Sequence, residues 1–166
     1  MAKGTHGQAD PVRQLERLMA LEYDADEAYQ AAIDHFADPR YSNEVTALKA
    51  DHRRHLDQLE LLVRRQGGTP PPAPDLRGRL EHGKLLIAQL GGDDAILRAL
   101  RSNAEHVAAA YEQALAGAPA EVREILIQGR DDAWRHRDWF DTAVRTLESA
   151  PHRGVPPWNI PPPSGF

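Results

Sequence analysis

The stretch Lys49-Ala50-Asp51-His52-Arg53-Arg54-His55-Leu56 decides how this chain is read. At helical spacing its apolar seam runs Tyr41, Val45, Leu48, His52, His55, Leu59, Leu62, in steps that alternate four and three. That rhythm belongs to a helix turned toward the inside of a bundle. Two consecutive seam positions carry imidazole where leucine would need no partner. A buried polar group costs roughly 1–3 kcal/mol unless it is hydrogen-bonded or ligated, so both histidines require something from neighbouring helices.

The helix before it offers a carboxylate. Asp10-Pro11 is a strong helix start, aspartate as N-cap and proline at the first helical position. From there Val12, Leu15, Met19, Glu22, Asp26, Tyr29, Ile33 and Phe36 keep the same spacing, so Glu22 and Asp26 lie in or beside an apolar stripe. Asp26 is the more natural edge residue, able to reach solvent or an arginine. Asp38-Pro39 ends the first helix and caps the second, and a link this short makes the two antiparallel neighbours. Glu22 stands about fifteen residues before the turn, with His52 about fourteen and His55 about seventeen after it. At ~1.5 Å per residue the three sit at one height.

Further outward, Gly67-Gly68 stops the second helix, and Thr69-Pro70-Pro71-Pro72-Ala73-Pro74 is an extended spacer that cannot be helical. A short amphipathic segment follows, with Leu76, Leu80, Gly83, Ile87 and Leu90 on one face, and reads as a connecting helix closed by Gly91-Gly92. Asp93 or Asp94 is expected to cap a third long helix with the seam Leu97, Leu100, Ala104, Val107, Tyr111, Ala114. Glu105 and Glu112 fall one step off it, on a face shared with Arg98 and Arg101. Gly117-Ala118-Pro119 turns the chain into a fourth helix with the seam Val122, Leu126, Gly129, Ala133, His136, Phe140, Ala143, Leu147. His136 is the third seam histidine, with Asp132 on its flank. Trp134 lies on the opposite side, where an aromatic suggests a covered or subunit-contact surface.

The expected organisation is therefore a flexible leader (1–9), a bundle over 10–149 with helices at about 10–37, 39–66, 76–90, 93–116 and 120–149, and a proline-rich tail (150–166). The tail cannot add a helix, but Trp158, Ile160 and Phe166 could dock on a protein partner. A formal charge of −5 with scattered basic residues argues against nucleic acid. The chain has no cysteine, which removes disulfides, thiolate metal sites and cysteine nucleophiles. Neither an apolar N-terminal stretch nor a run of ~18 apolar residues is present, so a cytoplasmic protein with no membrane span is expected.

The pooled inward polar set is Glu22, His52, His55 and His136, with Asp26, Asp132 and Glu105 as additional ligands within reach. Carboxylates and imidazoles on facing bundle helices are the ligand chemistry of non-haem iron, manganese and zinc. No glycine-rich phosphate loop competes with that reading, because both Gly-Gly pairs follow helices as stop signals.

These residues also carry a resemblance. The series Leu21-Glu22-Tyr23-Asp24-Ala25, Asp51-His52-Arg53-Arg54-His55, Gly67-Gly68 with prolines, Gly92-Asp93-Asp94-Ala95-Ile96-Leu97, Ala110-Tyr111-Glu112 and Asp132-Ala133-Trp134-Arg135-His136 resembles the ferritin-like superfamily. More narrowly it is similar to a bacterial ferritin-like family of undefined biochemical role. The resemblance implies an all-α, up-down-down-up four-helix bundle with a crossover helix, one or two iron-class ions at its centre, and ferroxidase or other oxidoreductase chemistry with oxygen species. It also suggests a homodimer or higher oligomer. In that pattern an inward Glu comes from the first and third helices and a Glu-x-x-His pair from the second and fourth. Glu22 fits the first helix, and His52 and His55 hold the second pair with histidine in the glutamate place. Ala104 and Ala133 stand where two more carboxylates belong, and only His136 remains of the fourth-helix pair. Three readings stay open: a His-rich, carboxylate-poor site for iron, zinc or manganese; a degenerate bundle with a structural or partner-binding role and no metal; and a bundle whose histidines ligate haem in the space the alanines clear.

Overall fold

The computed structural model describes residues 10–72, 87, 89 and 91–149, and all statements of structure concern these. They form four long helices and no strand: α1 (Pro11–His35), α2 (Pro39–Arg65), α3 (Asp93–Ala116) and α4 (Ala120–Ser149). Both expected proline starts are present. Asp10 accepts a hydrogen bond from the Val12 N–H at 3.1 Å, and Asp38 accepts one from the Arg40 N–H at 2.9 Å. Each aspartate satisfies one of the four amide groups that a helix start leaves without a partner.

The start of α3 differs from expectation. Its N-cap is Gly92, at φ 87, and no side chain caps the helix. Asp93 instead reaches across to the α1–α2 turn, where its two carboxylate oxygens accept from the Ala37 and Asp38 N–H groups at 2.8 and 3.0 Å. This contact also fixes the topology: the start of α3 lies beside the end of α1. At the far end Gln14 donates to the Gln113 carbonyl at 3.1 Å, so α1 and α3 are antiparallel. Arg54 with Asp132 and Arg135 with Asp51 likewise set α2 antiparallel to α4. The order is up-down-down-up, with α1 beside α2 and α3, and α4 closing the ring.

The end of α2 and the start of α3 therefore lie at opposite ends of the bundle. The α2 helix itself, 27 residues long, spans about 40 Å at ~1.5 Å per residue. One long crossover of this kind is how ferritin-like bundles differ from simple up-down ones. The connecting helix expected at 76–90 falls outside the described residues, apart from Ile87, which is buried against the core, and Gln89, which is exposed in a turn.

The core is two apolar clusters stacked along the bundle. One gathers Leu15, Leu18, Met19, Leu59, Leu62, Val107 and Leu126; the other gathers Tyr41, Val45, Leu48, Leu97, Leu100 and Phe140. Between them lies a polar layer holding Glu22, His52, His55 and His136, each no more than 2% exposed. Full burial of each large aliphatic side chain contributes roughly 1.5–3 kcal/mol, and two such clusters hold the polar layer in place from above and below. None of the described helices is long and apolar enough to cross a membrane.

Candidate metal centre

Glu22 is the hub of the polar layer. Its Oε1 accepts from the Tyr111 hydroxyl at 2.6 Å and lies 3.1 Å from His55 Nδ1, while Oε2 lies 2.6 Å from His52 Nδ1. Burial pushes the Glu22 carboxyl up. The positive charge and hydrogen bonds offered by His52, and then by His55, more than reverse this and hold it at about 2. The carboxylate is ionised and can only accept, so both facing Nδ1 atoms carry protons.

The other ring atoms assign the remaining protons. His55 Nε2 lies 3.0 Å from Asp132 Oδ2, a second carboxylate. His55 is thus held between two anions; burial pushes it down, but Glu22 and Asp132 raise its pKa above the ordinary value. His136 has a different setting. Its Nε2 lies 2.9 Å from Asp51 Oδ2, and its Nδ1 lies 3.2 Å from the Tyr29 hydroxyl, which donates to it. Burial and the neighbouring His52 depress His136 to about 4 against the pull of Asp51, so it is neutral with both nitrogens engaged. One atom is left over: His52 Nε2 is buried and has no partner among the described residues.

An outer ring of charge joins α2 to α4. Arg54 pairs with Asp51 of its own helix at 2.5 Å and with Asp132 at 2.6 Å. Arg135 pairs with Asp132 of its own helix at 2.7 Å and with Asp51 at 2.7 Å. Each aspartate therefore receives one arginine from each helix and one histidine from the opposite helix. Against the effect of burial, hydrogen bonds from His136, Arg135 and Arg54 hold Asp51 below the usual carboxylate range, and those from Arg135 and His55 do the same for Asp132.

The group able to hold a metal ion among the described residues is Glu22, His52 and His55, whose ligand atoms all lie within 4.8 Å of one another. Two imidazoles and a carboxylate are a donor set that zinc and non-haem iron use with positions left open. His55 also shows the supporting arrangement such ligands need: its far nitrogen donates to Asp132, which fixes the ring and leaves Nδ1 for the ion. The donor set fits one divalent cation, which would take the place of the protons that the two Nδ1 atoms now share with Glu22.

The other sequence candidates are placed elsewhere. The structure does not bring His136 into the Glu22–His52–His55 group; it stands beside it, ring centroid 5.2 Å from that of His52. Asp26 turns outward to Lys49 at 2.9 Å and Arg53 at 3.4 Å, the edge role its position suggested. Glu105 pairs with Arg137 at 3.2 Å on the outer face of α3. Asp132 reaches the site through His55 rather than by facing the centre. The rings of His52 and His136 meet edge to face, at an interplanar angle of 75°.

Asp51 is the participant that spacing did not single out, since it lies one step off the seam. A signal was nonetheless present: Asp-x-x-Arg-His occurs at 51–55 and again at 132–136. The structure pairs the two copies reciprocally.

Four helices in up-down-down-up order around a buried mid-height polar layer are the arrangement of a ferritin-like four-helix bundle, and that is the fold of this protein. Within it, the chain belongs to the family described as Domain of unknown function (DUF2383), which matches residues 10–117. Among solved structures it is similar to a two-domain protein from Anabaena variabilis that contains DJ-1/ThiJ/PfpI-like and ferritin-like domains. Identity is 18% and the TM-score 0.71, over 89% of this chain and 42% of that one. The chain thus spans less than half the length of that protein, and the likeness shows the fold. No curated protein matches.

Proposed function

We propose that this protein binds one divalent metal ion of the iron–zinc class through Glu22 Oε, His52 Nδ1 and His55 Nδ1, with Asp132 orienting His55. The observation that carries the reading is the convergence of two imidazoles and an ionised carboxylate from two helices in a fully buried layer. Ion binding must displace the shared protons, so uptake releases protons and strengthens as pH rises. An iron ion held this way would support chemistry with oxygen species, the ferroxidase or oxidoreductase activity expected of the fold; a zinc ion would act as a Lewis acid. The protein's own residues supply the buried setting, the fixed imidazole orientation through Asp132, and a Tyr111 hydroxyl beside the carboxylate. Self-assembly into a dimer or larger oligomer, with Trp134 on the exposed face of α4, belongs to the same proposal, as do a cytoplasmic location and a docking role for residues 150–166.

A second reading, a structural polar core without metal, is favoured by how completely the network satisfies itself: Glu22 takes three donors and His136 two partners. His52 Nε2 is without a partner among the described residues in either reading, so metal content is what distinguishes them. Elemental analysis of purified protein separates the two. Stoichiometric iron or zinc, lost in His55→Ala, is expected; metal-free protein from iron- and zinc-replete growth would establish the structural reading instead.

A further inference from the structure

Gly129 stands in the middle of α4, on the seam, where glycine costs about 1 kcal/mol relative to alanine. Its backbone needs no special conformation, since the positive φ angles of the described residues belong to Gly67 and Gly92. The reason lies opposite. A Cβ on Gly129 would fall 2.4 Å from Tyr111 Cζ, 2.5 Å from Cε1 and 2.8 Å from the hydroxyl oxygen. The missing side chain is the space in which the Tyr111 ring lies.

That placement has a chemical consequence. Tyr111, 1% exposed, aims its hydroxyl at Glu22 Oε1 and donates to it at 2.6 Å. The two oxygens of Glu22 are therefore unequal. Oε1 accepts from Tyr111 and from His55, whereas Oε2 accepts from His52 alone. When the imidazoles exchange their protons for an ion, Oε1 keeps the Tyr111 hydrogen bond and Oε2 is left free.

We infer that Gly129 and Tyr111 are positioning residues that restrict Glu22 to one ligating oxygen, Oε2, and so set the metal preference of the site. The inference rests on the metal-binding reading given above. Three single-atom donors in a layer almost wholly closed to water favour ions content with four ligands, zinc and cobalt, over manganese, which suits oxygen-rich six-coordinate surroundings. Freed from Tyr111, Glu22 can chelate through both oxygens, raising the coordination number and narrowing that preference.

Cobalt(II) loading of the full chain tests this, because visible absorption per bound cobalt is intense for four-coordinate and weak for higher-coordinate ions. The unaltered protein should bind one cobalt with an intense band. Tyr111→Phe, which keeps the ring and removes the hydroxyl, should still bind one cobalt but lose absorbance per ion several-fold, and its zinc-over-manganese selectivity should fall in parallel. A purely packing role for Tyr111 would change thermal stability without altering the spectrum of bound cobalt, and an unchanged spectrum overturns the inference. Gly129→Ala should shift the band in the same direction, and Tyr111→Phe decides the matter whether or not that variant folds. Failure of the unaltered protein to bind cobalt would instead overturn the metal-binding reading, and this inference with it.

Discussion

In the α1–α2 pair, Glu22 and Tyr29 stand seven residues apart on one helix, facing Asp51, His52, Arg54 and His55 on the other. In the α3–α4 pair the matching places hold Ala104 and Tyr111, facing Asp132, Ala133, Arg135 and His136. The outer residues are the same and bond reciprocally: each Asp takes the histidine of the opposite copy, and each Arg bridges both aspartates. The inner residues differ. Where Glu22 and His52 provide donors, Ala104 and Ala133 are buried as ordinary core. The two matched histidines then behave oppositely although each faces an aspartate. His55 has a second carboxylate in Glu22 and is raised, while His136 has a tyrosine hydroxyl instead and is lowered to about 4. The motif sets the geometry of an imidazole; the residue on the next helix sets its charge.

The comparison breaks most directly at Glu22. Replacing it by Leu leaves two histidines and a tyrosine in a buried layer without their acceptor, the situation that costs roughly 3–5 kcal/mol when one partner of a buried pair is removed. Denaturant unfolding should show that loss, and bound metal should vanish. If Glu22→Leu keeps both its stability and its metal, the two halves are not distinguished by this residue.

The pH dependence of the metal-free chain comes next. Glu22 is depressed from its ordinary 4.5 to about 2, so its contribution is present above 4.5 and is lost as pH falls toward 2. His55 is raised above its ordinary 6.5, so its contribution is present below 6.5 and is lost as pH rises through its folded value. The stability gap between the unaltered protein and Glu22→Gln should therefore be widest between about 4.5 and 6.5 and narrow on both sides. A gap that is flat across pH 2–8 would contradict the assigned protonation.

Asp132→Asn and Asp51→Asn then sharpen the comparison, because the two substitutions are equivalent in the outer ring and unequal at the centre. Loss of the carboxylate behind a ligating histidine typically costs about 10–100-fold in metal affinity. Asp132→Asn, behind His55, should show that loss by competitive titration, while Asp51→Asn, behind His136, should leave affinity within about threefold, well below that range. Equal effects would make His136 a ligand and restore symmetry to the site. Smallest of all should be Glu105→Ala. Its pair with Arg137 is on the outer face of the α3–α4 half, and such pairs contribute about 0–1 kcal/mol. A change in bound metal there would place Glu105 in the site after all.

Much of this was legible in the residues. Alternating steps of three and four gave the inward faces of all four helices, and Asp10-Pro11 and Asp38-Pro39 marked two helix starts that the structure retains. A short turn made α1 and α2 antiparallel, so simple height arithmetic brought Glu22 level with His52 and His55. Sequence reading pooled His136 with Glu22, His52 and His55 but passed over Asp51, its partner, because the bond between them crosses from α2 to α4. Those helices are separated by the crossover and by α3, and no local signal measures their distance. Asp93 shows a similar limit: an aspartate at a helix start reads as a cap, yet its carboxylate serves a turn 55 residues earlier.

The sequence by itself determined the helices, their buried faces and the presence of ionisable groups inside, since these follow from periodicity and local backbone chemistry. Tertiary structure alone decided which of those groups share protons and which carry charge. Glu22 at the centre of three donors, His55 between two anions and His136 neutral beside Tyr29 are outcomes of packing four helices together. Electrostatic energy depends on distances between helices, and no spacing within one helix contains them.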